Sequence, residues 1–120
     1  MTKKKKSKHD LILEDIVNRL QNKKYYDFVA RNVLYGKREF YGEMDILTYK
    51  DKHWHYYEIK THRSPQQIRK ARYQAYKVSK AFPERNFKYI LITTEGIKRI
   101  EPEDVNKRKR VYRKRNRHSS

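Results

Sequence analysis

Apolar residues recur at helical spacing early in the chain. Leu13, Ile16, Val17 and Leu20 share one face from Asp10 to about Asn22, with Ile12 on the flank and Asp10 placed to cap the helix. The period then shortens from 3.6 to 2. Over 28–34, Phe28, Ala30 and Asn32 alternate with Val29, Arg31 and Val33, which predicts a strand with two distinct faces. Gly36 and the charges after it predict a turn. Residues 42–49 and 53–61 predict two further strands joined by a tight Asp51-Lys52 turn. Ser64-Pro65-Gln66-Gln67 combines an N-cap, a proline at the first helical position and the glutamine of a capping box. That helix carries Ile68, Ala71, Ala75, Val78 and Ala81 as its buried stripe and ends before Pro83. Phe87–Thr93 is apolar enough for a central strand, Gly96–Ile100 fits an edge strand, and 102–105 a last helical turn. The element order is αβββαβ, an α/β domain with a mixed central sheet flanked by helices.

Charge divides the chain in three. Of 32 basic residues, thirteen lie in a head (Lys3, Lys4, Lys5, Lys6, Lys8) and a tail (Lys107, Arg108, Lys109, Arg110, Arg113, Lys114, Arg115, Arg117). All fourteen acidic residues fall between Asp10 and Asp104, so nineteen basic residues against fourteen acidic leave the middle at +5. We read 1–9 and 106–120 as basic disordered ends and 10–105 as one globular domain. A net charge of +18 points to a polyanionic partner, with the ends neutralising phosphates without reading sequence. The chain has no cysteine, which excludes disulfides and thiolate metal sites and fits a reducing compartment. No apolar run is long enough to span a membrane, and no apolar segment follows the Lys-rich start as a signal peptide requires. A cytoplasmic or intracellular protein is expected, and the Lys-, Arg-, Ile- and Tyr-rich composition fits a thermophilic, archaeal or archaeal-virus source.

The chemistry concentrates in Gly42-Glu43-Met44-Asp45-Ile46-Leu47 and Tyr57-Glu58-Ile59-Lys60-Thr61-His62-Arg63. Glu58 and Lys60 point the same way on a strand, and a hairpin sets Asp45 beside Glu58. Two converging carboxylates make a hard-oxygen site for Mg²⁺ or Mn²⁺, and an ammonium two residues on holds an anionic reaction partner. A carboxylate among the core-like neighbours of Asp45, or inside the aromatic strand of Glu58, is costly without a partner. The plainer alternatives are a surface acid at Asp45 and an ion pair at Lys60.

These motifs resemble the PD-(D/E)XK nuclease superfamily, with Asp45 as the first acid and Glu58-Ile59-Lys60 as the (D/E)-X-K element. The wording looks most like small archaeal Holliday-junction resolvases; Met44 stands where many members have proline. The resemblance, over roughly residues 10–93, implies a restriction-endonuclease-like core and a Mg²⁺-dependent endonuclease acting on branched DNA in recombination or repair. It implies metal ligation by Asp45, Glu58 and the Ile59 carbonyl, with Glu14 completing the site through water and Asp15 competing for that part. It gives Lys60 the attacking water or the charge on the phosphate, and it implies a homodimer. It suggests that Gln74 turns toward the site.

Glu43 shares a strand face with Asp45 and is either near the metal or simply solvated. His62 and Arg63 are expected on phosphate, and Arg69, Lys70, Arg72, Lys77 and Lys80 form either a solvated or a phosphate-tracking face. Tyr35, Phe40 and Tyr41 are candidates for base stacking. His53 and His55 have zinc-compatible spacing, but two ligands at a hairpin turn read better as packing. The competing functions are a non-catalytic DNA-binding protein, an RNA-binding protein, and a nickase or general nuclease of the same fold.

Overall fold

In the computed structural model, which describes residues 6–105, the first helix α1 spans Lys8–Asn22. It starts three residues earlier than a cap at Asp10 would place it. Ser7, not Asp10, is the cap: its hydroxyl accepts from the Asp10 N–H at 3.1 Å, and Asp10 sits in the first turn, where a carboxylate complements the helix dipole. Lys8 and His9, expected in a disordered head, are therefore helical. Of the basic ends, residues 1–5 and 106–120 lie outside the described residues.

Five strands follow: β1 (Phe28–Lys37), β2 (Phe40–Lys50) and β3 (His53–Ile59), then helix α2 (Pro65–Ala81), β4 (Phe87–Thr93) and β5 (Gly96–Ile100). They form one mixed sheet in the order β1-β2-β3-β4-β5. Among the described residues only β3 and β4 pair in parallel, and α2 makes the crossover between them. β4 is interior as its apolar run requires, although β3 holds the middle position. Ser64 caps α2 by accepting from the Gln67 N–H at 3.2 Å. Asp51 and Lys52 form the β2–β3 turn, both with positive φ (49° and 68°), as a two-residue hairpin needs. The β1–β2 turn falls at Arg38-Glu39, and Gly36 is paired with Tyr41 inside the ladder instead of turning the chain. Residues 102–105 form no helix; the Glu103 N–H bonds to the Arg72 carbonyl at 3.1 Å and holds the segment to α2.

The helices cover opposite faces. Leu13, Val17 and Leu20 of α1 pack with Ile46, Tyr57, Ile59 and Ile92. Ala71, Ala75 and Val78 of α2 pack with Met44, Leu47, Tyr56, Tyr89 and Leu91. A fully buried leucine such as Leu13 contributes about 1.5–3 kcal/mol.

The alternation expected over 28–34 breaks in the middle. Val29 packs on the α1 side, but Val33 and Tyr35 pack on the α2 side. β2 switches likewise, with Met44 and Leu47 toward α2 and Ile46 toward α1. The switch falls between the Arg31–Ile46 and Val33–Met44 pairs, where Asn32 has φ 52°. A left-handed residue turns the side chains after it to the other face, and asparagine tolerates that conformation better than most residues. Asp45 occupies the same step on β2.

Candidate functional site

The β2–β3 ladder is paired from Lys50–His53 to Ile46–Tyr57 and stops there. The next two residues are Asp45 and Glu58. At this opening a side chain replaces the backbone ladder: Asp45 Oδ2 accepts from the Ile59 N–H at 2.9 Å. The Lys60 N–H donates to the Ile92 carbonyl at 3.0 Å, so β4 steadies the backbone just beyond β3, which ends at Ile59 and not at 61.

Glu58 is 6% exposed. Tyr56, two residues back on the same face and fully buried, donates its hydroxyl to Glu58 Oε2. Lys60 Nζ lies 3.6 Å from Glu58 Oε1. Burial, with the negative charge of Asp45 beside it, pushes the Glu58 carboxyl up to about 7, against the opposing pull of the Tyr56 hydrogen bond and of Lys60. Asp45 carries a second contact, with its Oδ2 3.2 Å from His9 Nε2; His9 Nδ1 lies 3.7 Å from Asp10 Oδ1. The phenol of Tyr35, half-buried on the α2 side, is pushed up to about 12 by burial and then by the charge of Glu58.

Thus Asp45, Glu58, Ile59 and Lys60 come together at one end of the sheet. Glu14 does not join them: it accepts from Lys6 Nζ at 2.8 Å and faces Arg31 at 3.9 Å. Among the described residues no group of three His, Cys, Asp or Glu side chains is gathered closely enough to hold a metal ion. Asp15 pairs with Arg19 instead. Glu43 is exposed, and Gln74 is half-buried beside the packed stripe of α2.

The basic residues divide. His62, Arg69 and Lys70 are exposed. The Arg63 N–H donates to Glu95 at 3.0 Å, and Arg72 is held by Glu103 at 3.1 Å. Lys107, Arg108, Lys109 and Arg110 lie outside the described residues. His53 and His55 stand at the far end of the hairpin; His55 packs against the Tyr26 and Tyr57 rings, and burial lowers its pKa.

Sequence reasoning missed His9 and Tyr56. His9 precedes Leu13 by four residues and Leu13 precedes Val17 by four, so a helix started at Lys8 sets His9 on the buried stripe. Tyr56 precedes Glu58 by two on one strand, which puts both on one face.

No protein-family model matches the chain, and no curated protein or solved structure matches it significantly.

Proposed function

We propose that the protein is a divalent-metal-dependent DNA endonuclease with a restriction-endonuclease-like core, acting on branched DNA. One observation carries the reading. The fold brings Asp45 and the Glu58-Ile59-Lys60 run to a single opening in the sheet, where Asp45 stands beside Glu58 and the Lys60 ammonium lies 3.6 Å from Glu58. The oxygens of Asp45, Glu58 and the Ile59 carbonyl suit Mg²⁺ or Mn²⁺, and a second carboxylate beside a buried one leaves negative charge for a cation to balance. Asp45, Glu58 and the Ile59 carbonyl would hold the ion. Bound there, it would supply a water acidified for attack on phosphorus and a counter-charge for the phosphate. Lys60 presents its ammonium to the phosphate as negative charge builds. The Ile59 N–H and His9 fix the orientation of Asp45, and Tyr56 fixes that of Glu58. The basic residues outside the domain add backbone contacts that are strong at low salt.

A second reading, a non-catalytic DNA- or RNA-binding protein, draws on Glu14, whose charge Lys6 and Arg31 already balance. One experiment tests both. A four-way junction, a flap, a nicked duplex, linear duplex and single strands are incubated with Mg²⁺ or with chelator. The expected result is Mg²⁺-dependent cutting concentrated at branch points. Binding without cutting of any substrate supports the second reading; equal cutting of linear and branched DNA leaves a general nuclease.

A further inference from the structure

On the α2 side of the sheet a groove of about 380 Å³ separates the tip of the β1–β2 hairpin from α2. Its lining is Glu39, Phe40, Tyr73, Tyr76 and Lys77. The Tyr73 and Tyr76 rings are near parallel, 18° apart with centroids at 6.1 Å, and Phe40 meets Tyr76 edge-on at 6.2 Å. Ammonium groups sit over this aromatic floor: Lys77 Nζ is 5.8 Å from the Tyr73 ring and Lys80 Nζ 5.5 Å from the Tyr76 ring. Lys77 also donates to the Tyr41 carbonyl at 3.3 Å, which ties helix to hairpin across the groove. Lys37 and Arg38 stand exposed at the adjoining turn, and among the described residues lining the groove Glu39 is the single acid.

The groove is not remote from the carboxylates. Strand β2 links them: Phe40 lines the groove, and Asp45 stands at the sheet opening five residues along the same strand. A duplex buries the faces of its bases, and an aromatic floor offers nothing to them. An unpaired base has a free face to stack, and its phosphates meet the lysines.

We propose that this groove takes unpaired bases of a DNA strand, so that the preferred substrate carries a single-stranded segment beside the scissile phosphate, as a flap or splayed branch does and a fully paired junction does not. The inference rests on the nuclease reading for its link to cutting, but the groove is testable by binding alone.

The test uses the full chain in chelator, with fluorescence anisotropy of a labelled thymidine oligomer of about twelve nucleotides, of the same oligomer carrying abasic sites, and of duplex. Salt is set near 0.3 M to suppress sequence-independent phosphate contacts. The unaltered chain should bind the thymidine strand about tenfold more tightly than the abasic strand. Tyr73→Leu and Tyr76→Leu should each weaken single-strand binding by about tenfold and duplex binding by less than about twofold, while Tyr73→Phe keeps wild-type binding. Equal affinity for thymidine and abasic strands overturns the proposal, whatever the variants do. So does an equal loss on single strand and duplex, or a ribo-oligomer bound more than about tenfold tighter than DNA, which would make RNA the occupant. A chain that shows the ring-dependent preference and never cuts upholds the groove and removes only the nuclease. A chain that cuts without the preference removes only the groove.

Discussion

At the Asp51-Lys52 end of the β2–β3 hairpin, backbone pairing is complete and rings close over it. Tyr49 and Trp54 lie with centroids 4.6 Å apart, Trp54 meets Phe87 at 6.0 Å, and Arg85 covers Trp54 at 4.8 Å. At the Asp45–Glu58 end the same two strands part, and carboxylates stand where a ladder would continue. Both ends are built from one hairpin, which is exposed to half-buried at the turn and mostly buried at the opening. The closed end is held by apolar contact and by cations on ring faces, with Lys50 over Tyr25 and Arg85 over Trp54. The open end keeps two like charges together and pushes Glu58 to about 7, a cost that the fold bears without any gain in packing. Such a cost, localised at two residues, is the reason for placing the proposed chemistry at this end.

The sharpest break of this comparison is in cutting. Asp45→Asn and Glu58→Gln should each lower metal-dependent cleavage by at least about a hundredfold while DNA binding persists or tightens, since each removes negative charge near phosphate. Gel assays of cutting and binding on the same junction check it.

The next effect is in stability against pH, without metal. The Glu58 pKa is raised in the folded state, so the folded chain holds that proton more tightly than the unfolded chain does. Stability from this group is then greatest below about 4.5 and falls as pH rises to about 7. The limiting loss is about 3 kcal/mol. Urea melts should show Glu58→Gln gaining on the wild type by up to that amount between about pH 5 and pH 8. A difference that does not change with pH contradicts the buried-charge account.

At the closed end the signs reverse. Trp54→Ala should cost about 2 kcal/mol, less than a fully buried tryptophan because Trp54 is half-buried, and should leave cutting per folded molecule within about twofold. Smallest is the cap of α2: Ser64→Ala should cost about 1 kcal/mol in a thermal or urea melt, with cleavage unchanged.

Much of this difference was legible in the sequence. Hydrophobic period located both helices and all five strands, and α2 and β4 to the residue, because Ser64-Pro65 and the apolar run 89–92 are strong local signals. The pairing of Asp45 with Glu58 followed from strand alternation plus one hairpin. Three things were not legible. The face switch at Asn32 depends on a backbone angle that no side-chain period encodes. The start of α1 was misplaced because Ser7 stands among lysines with no apolar residue to mark a period, and His9 was lost with it. Glu14 pairs with Lys6 and Arg31 through contacts that cross from helix to head and to β1, which chain order does not reveal.

The central claim is that the open end holds a divalent cation through Asp45 and Glu58. Electron paramagnetic resonance of free Mn²⁺ gives the bound ion by difference and needs no DNA. At about pH 8, where Glu58 is ionised, the wild type should bind Mn²⁺, and Asp45→Asn and Glu58→Gln should each abolish that binding while Glu43→Gln does not. Mn²⁺ bound equally by the wild type and both carboxylate variants would contradict the account.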